Sequence, residues 1–123
     1  MLGEIEWLRS KPEQALQHYA EAVRLAPDFV DARVAMGKAL TTLGHPEQAL
    51  EQQSEAVRLD PQNEAAHYRL AQAYRKLGRS EDAEREFAIF RKLRDSHLVA
   101  RALYQQVQER DVPRQTVAPD EPQ

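Results

Sequence analysis

The stretch SKPEQALQHYAEAVRLAP, residues 10–27, returns 34 residues later as GHPEQALEQQSEAVRLDP, residues 44–61, with 11 of 18 positions identical. A fainter copy, GRSEDAEREFAIFRKLRD, begins at Gly78 and keeps Ala83 and Leu93 in register. Ala15, Ala49 and Ala83 thus recur at a period of 34, as do Pro27 with Pro61 and Gly44 with Gly78. Self-similarity at a period of this size marks a stacked array in which each unit buries its apolar face on the next.

Working outward from the repeat, two kinds of helix alternate. In 31–43, Ala32, Ala35, Met36, Ala39, Leu40 and Leu43 follow the i, i+3, i+4, i+7 rule of one buried stripe, and 64–77 repeats it with Ala66, Leu70, Ala73, Tyr74 and Leu77. The second kind comprises 13–25 and 47–59. Its Ala15, Leu16, Tyr19, Ala22, Val23 and Leu25 are matched by Ala49, Leu50, Gln53, Ala56, Val57 and Leu59, and 81–93 is its third member. Gly44 and Gly78 stand where the chain must turn through a left-handed residue. Pro12 and Pro46 suit a first helical turn, where a missing N–H is harmless. Pro27 and Pro61 end each helix of the second kind, and Asp28 is expected to cap the next one. Ser10 occupies the glycine position of the first copy, so a left-handed turn there costs about 1 kcal/mol.

These residues resemble a tetratricopeptide repeat (TPR). Met36-Gly37 and Leu70-Ala71 stand at its Leu-Gly position, Leu40 and Tyr74 at the following Tyr, Ala49 and Ala83 at the first Ala. Gln53 and Phe87 take its aromatic position, Ala56 its second Ala and Pro61 its Pro, while Arg33 and His67 replace a frequent Trp. The resemblance implies an all-α solenoid of about two and a half to three helix-turn-helix repeats, at 1–27, 28–61 and 62–95. Gly37, Ala71, Ala49 and Ala56 let helices approach closely. Phe90 replaces Ala56 in the third copy, and Asp95 replaces the terminating Pro, which reads as the end of the array. A capping helix is expected over 96–110, its stripe of Val99, Ala100, Leu103 and Val107 covering the last repeat. With no Gly or Pro between Arg79 and Val112, one long helix is the alternative, and Asp95-Ser96 is the preferred break. Leu2-Gly3 aligns with Met36-Gly37, so the chain is expected to begin inside its first helix. The tail 111–123 holds three of the seven prolines and no apolar period, and is expected to be flexible.

Composition narrows the function classes. The 123 residues are 30% charged, with net charge -3, and carry no cysteine, so disulfide and thiolate chemistry are excluded. Mean hydropathy is -0.73 and the pI about 5.8, which disfavours bulk attraction to nucleic acid or anionic lipid. No apolar run approaches the ~18–20 residues of a membrane span. MLGEIEWLRS lacks a basic segment followed by an apolar one, so no secretory leader is expected and the compartment stays open. His18, His45, His67 and His97 lie at no metal-ligand spacing, and no Gly-rich loop precedes a helix. No catalysis and no cofactor or metal are therefore expected.

By the family's layout, helices of the first kind line a concave groove. Its inward positions here are Val34, Lys38, Thr41 and Thr42, then Tyr68, Arg69, Gln72, Arg75 and Lys76, with Glu4 and Trp7 facing it from the first helix. Glu13, Glu21, Glu47, Glu51 and Glu55 fall on the outer surface. A locally basic groove suits a protein or peptide partner with an acidic segment. The same Lys38, Arg75 and Lys76 also fit plain solvation of an exposed helix face. The clamp by which co-chaperone TPR domains grip a terminal carboxylate is absent, since its two Asn positions are filled otherwise. The expected function is an interaction module of an adaptor or scaffold kind, with no nucleic-acid partner and no membrane insertion. The alternative is a homo-oligomer formed through the open N-terminal helix by Ile5, Trp7 and Leu8.

Overall fold

Among the described residues, glycine and proline spacers separate five helices: α1 (Leu2–Leu25), α2 (Val30–Thr42), α3 (Pro46–Leu59), α4 (Glu64–Lys76) and α5 (Ser80–Asp120). The computed structural model describes the backbone of residues 2–120 and the side chains of residues 11–110. Glu4, Ile5, Trp7 and Leu8, and the expectation of a flexible 111–123, fall outside those described side chains. No strand occurs among the described residues. Two compact units are distinguishable, Met1–Arg91 and Lys92–Gln123.

The hairpin turns follow from backbone chemistry. Gly44 and Gly78 take φ of +86° and +75°, and no non-glycine residue among those described has positive φ. Beyond α2, Gly44 N–H donates to Thr41 O and His45 N–H to Leu40 O. Beyond α4, Gly78 N–H donates to Arg75 O and Arg79 N–H to Tyr74 O, the same pair one repeat later. These bonds satisfy carbonyls that the helix end would leave bare. Pro46 opens α3, and Asn63 Oδ1 accepts from Ala66 N–H at 3.0 Å to cap α4.

Three local expectations are corrected. Ser10 makes no turn: α1 runs through it and carries Pro12 inside the helix. A serine in the left-handed region is strained, and remaining helical avoids that cost. Asp28 is not a cap, because α2 starts at Val30 behind Phe29, with no side-chain bond to its first N–H groups. The chain also does not break at Asp95-Ser96; the segment 96–110 continues α5 instead of starting a helix of its own. Neither a glycine nor a proline interrupts the helical hydrogen bonds between Arg79 and Val112. Val99, Leu103, Tyr104 and Val107 on this segment are 59%, 58%, 65% and 54% exposed.

Within Met1–Arg91, α1 packs on α2, α2 on α3 and α3 on α4, Tyr68 of α4 meets Phe87 of α5, and α2 touches α4, so these two like helices lie side by side. Small residues make this possible. Ala49, Ala56, Ala66, Ala71 and Ala73 have no exposed surface, and Leu40, Ala49 and Ala73 form a core joined by Leu16, Met36 and Leu50. Gly37 is buried against Gln53, a wholly buried side chain whose Nε2 donates to Val34 O at 3.1 Å. A Cβ on Gly37 would lie 2.0 Å from that nitrogen.

One polar bridge recurs with the repeat and ties each hairpin together. Arg33 Nε donates to Pro27 O at 2.8 Å, and Arg33 Nη1 donates to Gln52 Oε1 at 2.9 Å. Thirty-four residues on, His67 Nε2 donates to Pro61 O at 2.7 Å, and its Nδ1 shares a 2.6 Å hydrogen bond with Glu86 Oε1. The side chain at this position of the repeat thus fastens the preceding loop to the following helix in both copies. His67 is buried, and both ring nitrogens are satisfied, as burial of a polar ring demands.

On the opposite surface, Glu13, Glu21, Glu47 and Glu51 are exposed, with Glu55 half-buried. Hydrogen bonds from Arg24 and Arg58 hold the Glu21 and Glu55 carboxyls below their ordinary range. Depressed carboxyl values favour the fold above the ordinary carboxylate range, and that contribution fades on acidification. Exposure to solvent keeps it small.

Candidate binding groove

The α2–α4 contact brings the last turns of both helices together. Lys38, Thr41 and Thr42 from α2 face Arg69, Gln72, Arg75 and Lys76 from α4 around a cavity of about 310 Å³. Seven of the nine groove positions expected from the sequence therefore share one site. Four of its seven lining side chains are cationic and none is a carboxylate. Lys38, Arg69, Arg75 and Lys76 form no ion pair with any described residue. A cavity lined by cations alone attracts an anionic group.

The hydroxyls and amides have fixed orientations. Thr41 Oγ1 donates to Gly37 O and Thr42 Oγ1 to Lys38 O, both at 3.0 Å, leaving oxygen lone pairs toward solvent. Arg69 Nη1 donates to Gln72 Oε1 at 2.8 Å, and Gln72 Nε2 donates to Tyr68 OH at 3.3 Å. This relay along α4 orders three side chains before any ligand arrives, reducing the entropy lost on binding.

Two expected positions lie elsewhere. Val34 is half-buried and contributes its carbonyl to Gln53. Tyr68 lines a second cavity, of about 470 Å³, with Arg75, Ser80, Ala83, Glu84, Phe87 and Arg91. Its ring meets Phe87 edge-on at 5.8 Å and Phe90 at 5.1 Å. The residues from α5 were not expected at a site. Their signal lay in the repeat itself: Val34, Gln53 and Ala56 become Tyr68, Phe87 and Phe90 one period later, so three positions turn aromatic together.

Among the described residues no group of His, Cys, Asp and Glu could hold a metal, and no helix is long and apolar enough to cross a membrane.

The sequence profile described as Bacterial transcriptional activator domain matches residues 8–108. No curated protein matches the chain. Among solved structures, MamA from AMB-1 is similar at 25% identity over 72% of this chain and 53% of its own, with a TM-score of 0.66. MamA from MSR-1 is similar at 23% identity over 73% and 52%, with a TM-score of 0.66. An RS-1 MamA double mutant is similar at 23% over 77% and 53%, with a TM-score of 0.67. The chain spans about half the length of these structures. The likeness establishes an all-helical repeat solenoid, the coarser part of the tetratricopeptide resemblance.

Proposed function

The chain belongs to the bacterial transcriptional activator domain family, and on that premise we propose that it is a protein-interaction module, an adaptor or scaffold part of a larger transcription-activating assembly. It takes an acidic protein or peptide segment in the groove between α2 and α4. The family's own description supports the setting, and the tetratricopeptide-like layout supports the mode. The observation that carries the reading is the cluster of Lys38, Arg69, Arg75 and Lys76 without an ion-pair partner among the described residues. In a chain of net charge -3, this cavity is lined by four cations and no carboxylate. The role is binding, with no catalytic step, no cofactor and no nucleic-acid contact.

Titrating a blocked oligoglutamate peptide into the isotope-labelled full chain tests it by NMR. Backbone shifts are expected to cluster at Lys38, Thr41, Arg69, Gln72, Arg75 and Lys76. The paired substitution Lys38→Glu with Lys76→Glu is expected to weaken binding by tenfold or more, since each reversed charge costs about 1 kcal/mol in a partly screened groove. Shifts confined to the outer faces of α1 and α3 would overturn the reading.

A second reading, self-association, is favoured by the exposed Val99, Leu103, Tyr104 and Val107 on one side of α5. Val99, Leu103 and Val107 recur at i, i+4 and i+8, the spacing of a helix seam, with Tyr104 beside them. Sedimentation of the full chain is expected to show a dimer that Leu103→Glu converts to monomer. A strict monomer at high concentration would sink it.

A further inference from the structure

We propose that the groove recognises a two-part ligand: a peptide segment that places an acidic side chain beside an aromatic or large aliphatic one. The inference rests on the groove reading above and names the chemistry of its partner. Its basis is Arg75, which lines both cavities and so joins them.

On one side of Arg75 lies the cationic cavity with Lys38, Arg69 and Lys76. On the other lies the second cavity, walled by Tyr68, Phe87 and Arg91. The Arg75 guanidinium sits 5.1 Å from the Phe87 ring centroid. An arginine over an aromatic ring at this distance is attracted to its π face and keeps its N–H donors for a further partner. A carboxylate approaching those donors gains paired charge-assisted hydrogen bonds. The next apolar side chain of the same ligand then meets aromatic walls directly alongside. Tyr68 is held for this by Phe87 and Phe90 on one side and by the Gln72 amide on the other. Arg69 lies 5.5 Å from the Tyr68 ring centroid, so this aromatic too is flanked by a cation.

A purely acidic segment leaves the aromatic cavity unused, and a purely apolar one leaves four cations unanswered. Segments in which acidic and apolar residues alternate satisfy both, and they are commonly disordered before they bind. An extended chain advances about 3.3 Å per residue and sends neighbouring side chains to opposite sides, which puts an acidic residue and the apolar one next to it within reach of the two sides of one guanidinium.

The test uses the full chain and ten-residue peptides blocked at both ends, so that no terminal carboxylate contributes, with binding read by fluorescence anisotropy. A peptide alternating Asp with Phe is expected to bind at least tenfold more tightly than its Asp→Asn and Phe→Ala counterparts. It is also expected to outbind a peptide of the same composition with its acids and aromatics segregated. Arg75→Gln, at an exposed position and with unchanged helicity by circular dichroism as its control, is expected to lose most of both preferences. Arg91→Gln at the aromatic cavity is expected to weaken the alternating peptide more than oligoglutamate. If the Phe→Ala peptide binds as well as the alternating one, and Lys38→Glu with Lys76→Glu still abolishes binding, the two-part inference falls and the groove reading stands. If that double substitution leaves every peptide unaffected, both fall.

Discussion

Gly37→Ala is expected to lower the thermal midpoint by about 10 °C, although alanine is the better helix former. The added methyl carbon would lie 2.0 Å from Gln53 Nε2, 2.5 Å from Cδ and 3.0 Å from Cγ. Gln53 has no exposed surface, and its Oε1 already has no hydrogen-bond partner. Swinging it aside breaks the donation to Val34 O and leaves a wholly buried amide unsatisfied, at about 1–3 kcal/mol. Overpacking adds a similar amount, and the gain in helix propensity returns about 1 kcal/mol. The balance is a loss of about 2–3 kcal/mol. Coupling provides the sharper check. In a double-mutant cycle, Gln53→Ala should cost at least about 1 kcal/mol less in the Gly37→Ala background than alone. An unchanged midpoint, or simple additivity, would mean that the two side chains do not contend for the same space.

Ala56→Phe should be more damaging, above about 3 kcal/mol. It installs at the second repeat the residue that Phe90 supplies naturally at the third. Ala56 is wholly buried, so the ring has nowhere to go without parting α3 from its neighbours. Phe90 is only half-buried and rests on Tyr68, where the second repeat has Val34. Denaturant unfolding followed by helicity should show a clearly lower midpoint, or a separate early transition if the second repeat opens alone. Stability equal to the parent chain would show that position 56 does not set the spacing of the helices.

Much of the fold was legible because its signals are local. Gly44 and Gly78 are read as left-handed turns from the steric rule alone, and both adopt positive φ. Pro46 at the start of α3, and Leu25 and Leu59 at the ends of α1 and α3, fall where the punctuation places them. The misreadings came where one residue was asked to act as another. Ser10 aligned with a glycine but is not one, and Asp28 lay one residue too early to cap. At Asp95-Ser96 no physical breaker was present, only an analogy with the end of an array.

The site divides in the same way. Lys38, Thr41, Thr42, Arg69, Gln72, Arg75 and Lys76 were assigned to one groove by the tetratricopeptide-like layout, and they line one cavity where α2 and α4 lie side by side. Tyr68 was singled out as a groove residue, but its partners Phe87 and Phe90 were not, since they belong to a helix of the other kind.

By itself, the sequence determined a helical repeat with a 34-residue period, the residues at its turns and the small side chains at its helix contacts. Periodicity and turn chemistry are properties of short segments, so they survive without knowledge of neighbours. Only the tertiary structure decided that Arg33 and His67 make equivalent bridges, that Gln53 fills the space above Gly37, and that Arg75 joins a cationic cavity to an aromatic one. Each of these depends on which rotamer meets which residue of another helix, and that is settled by close packing across the hairpin.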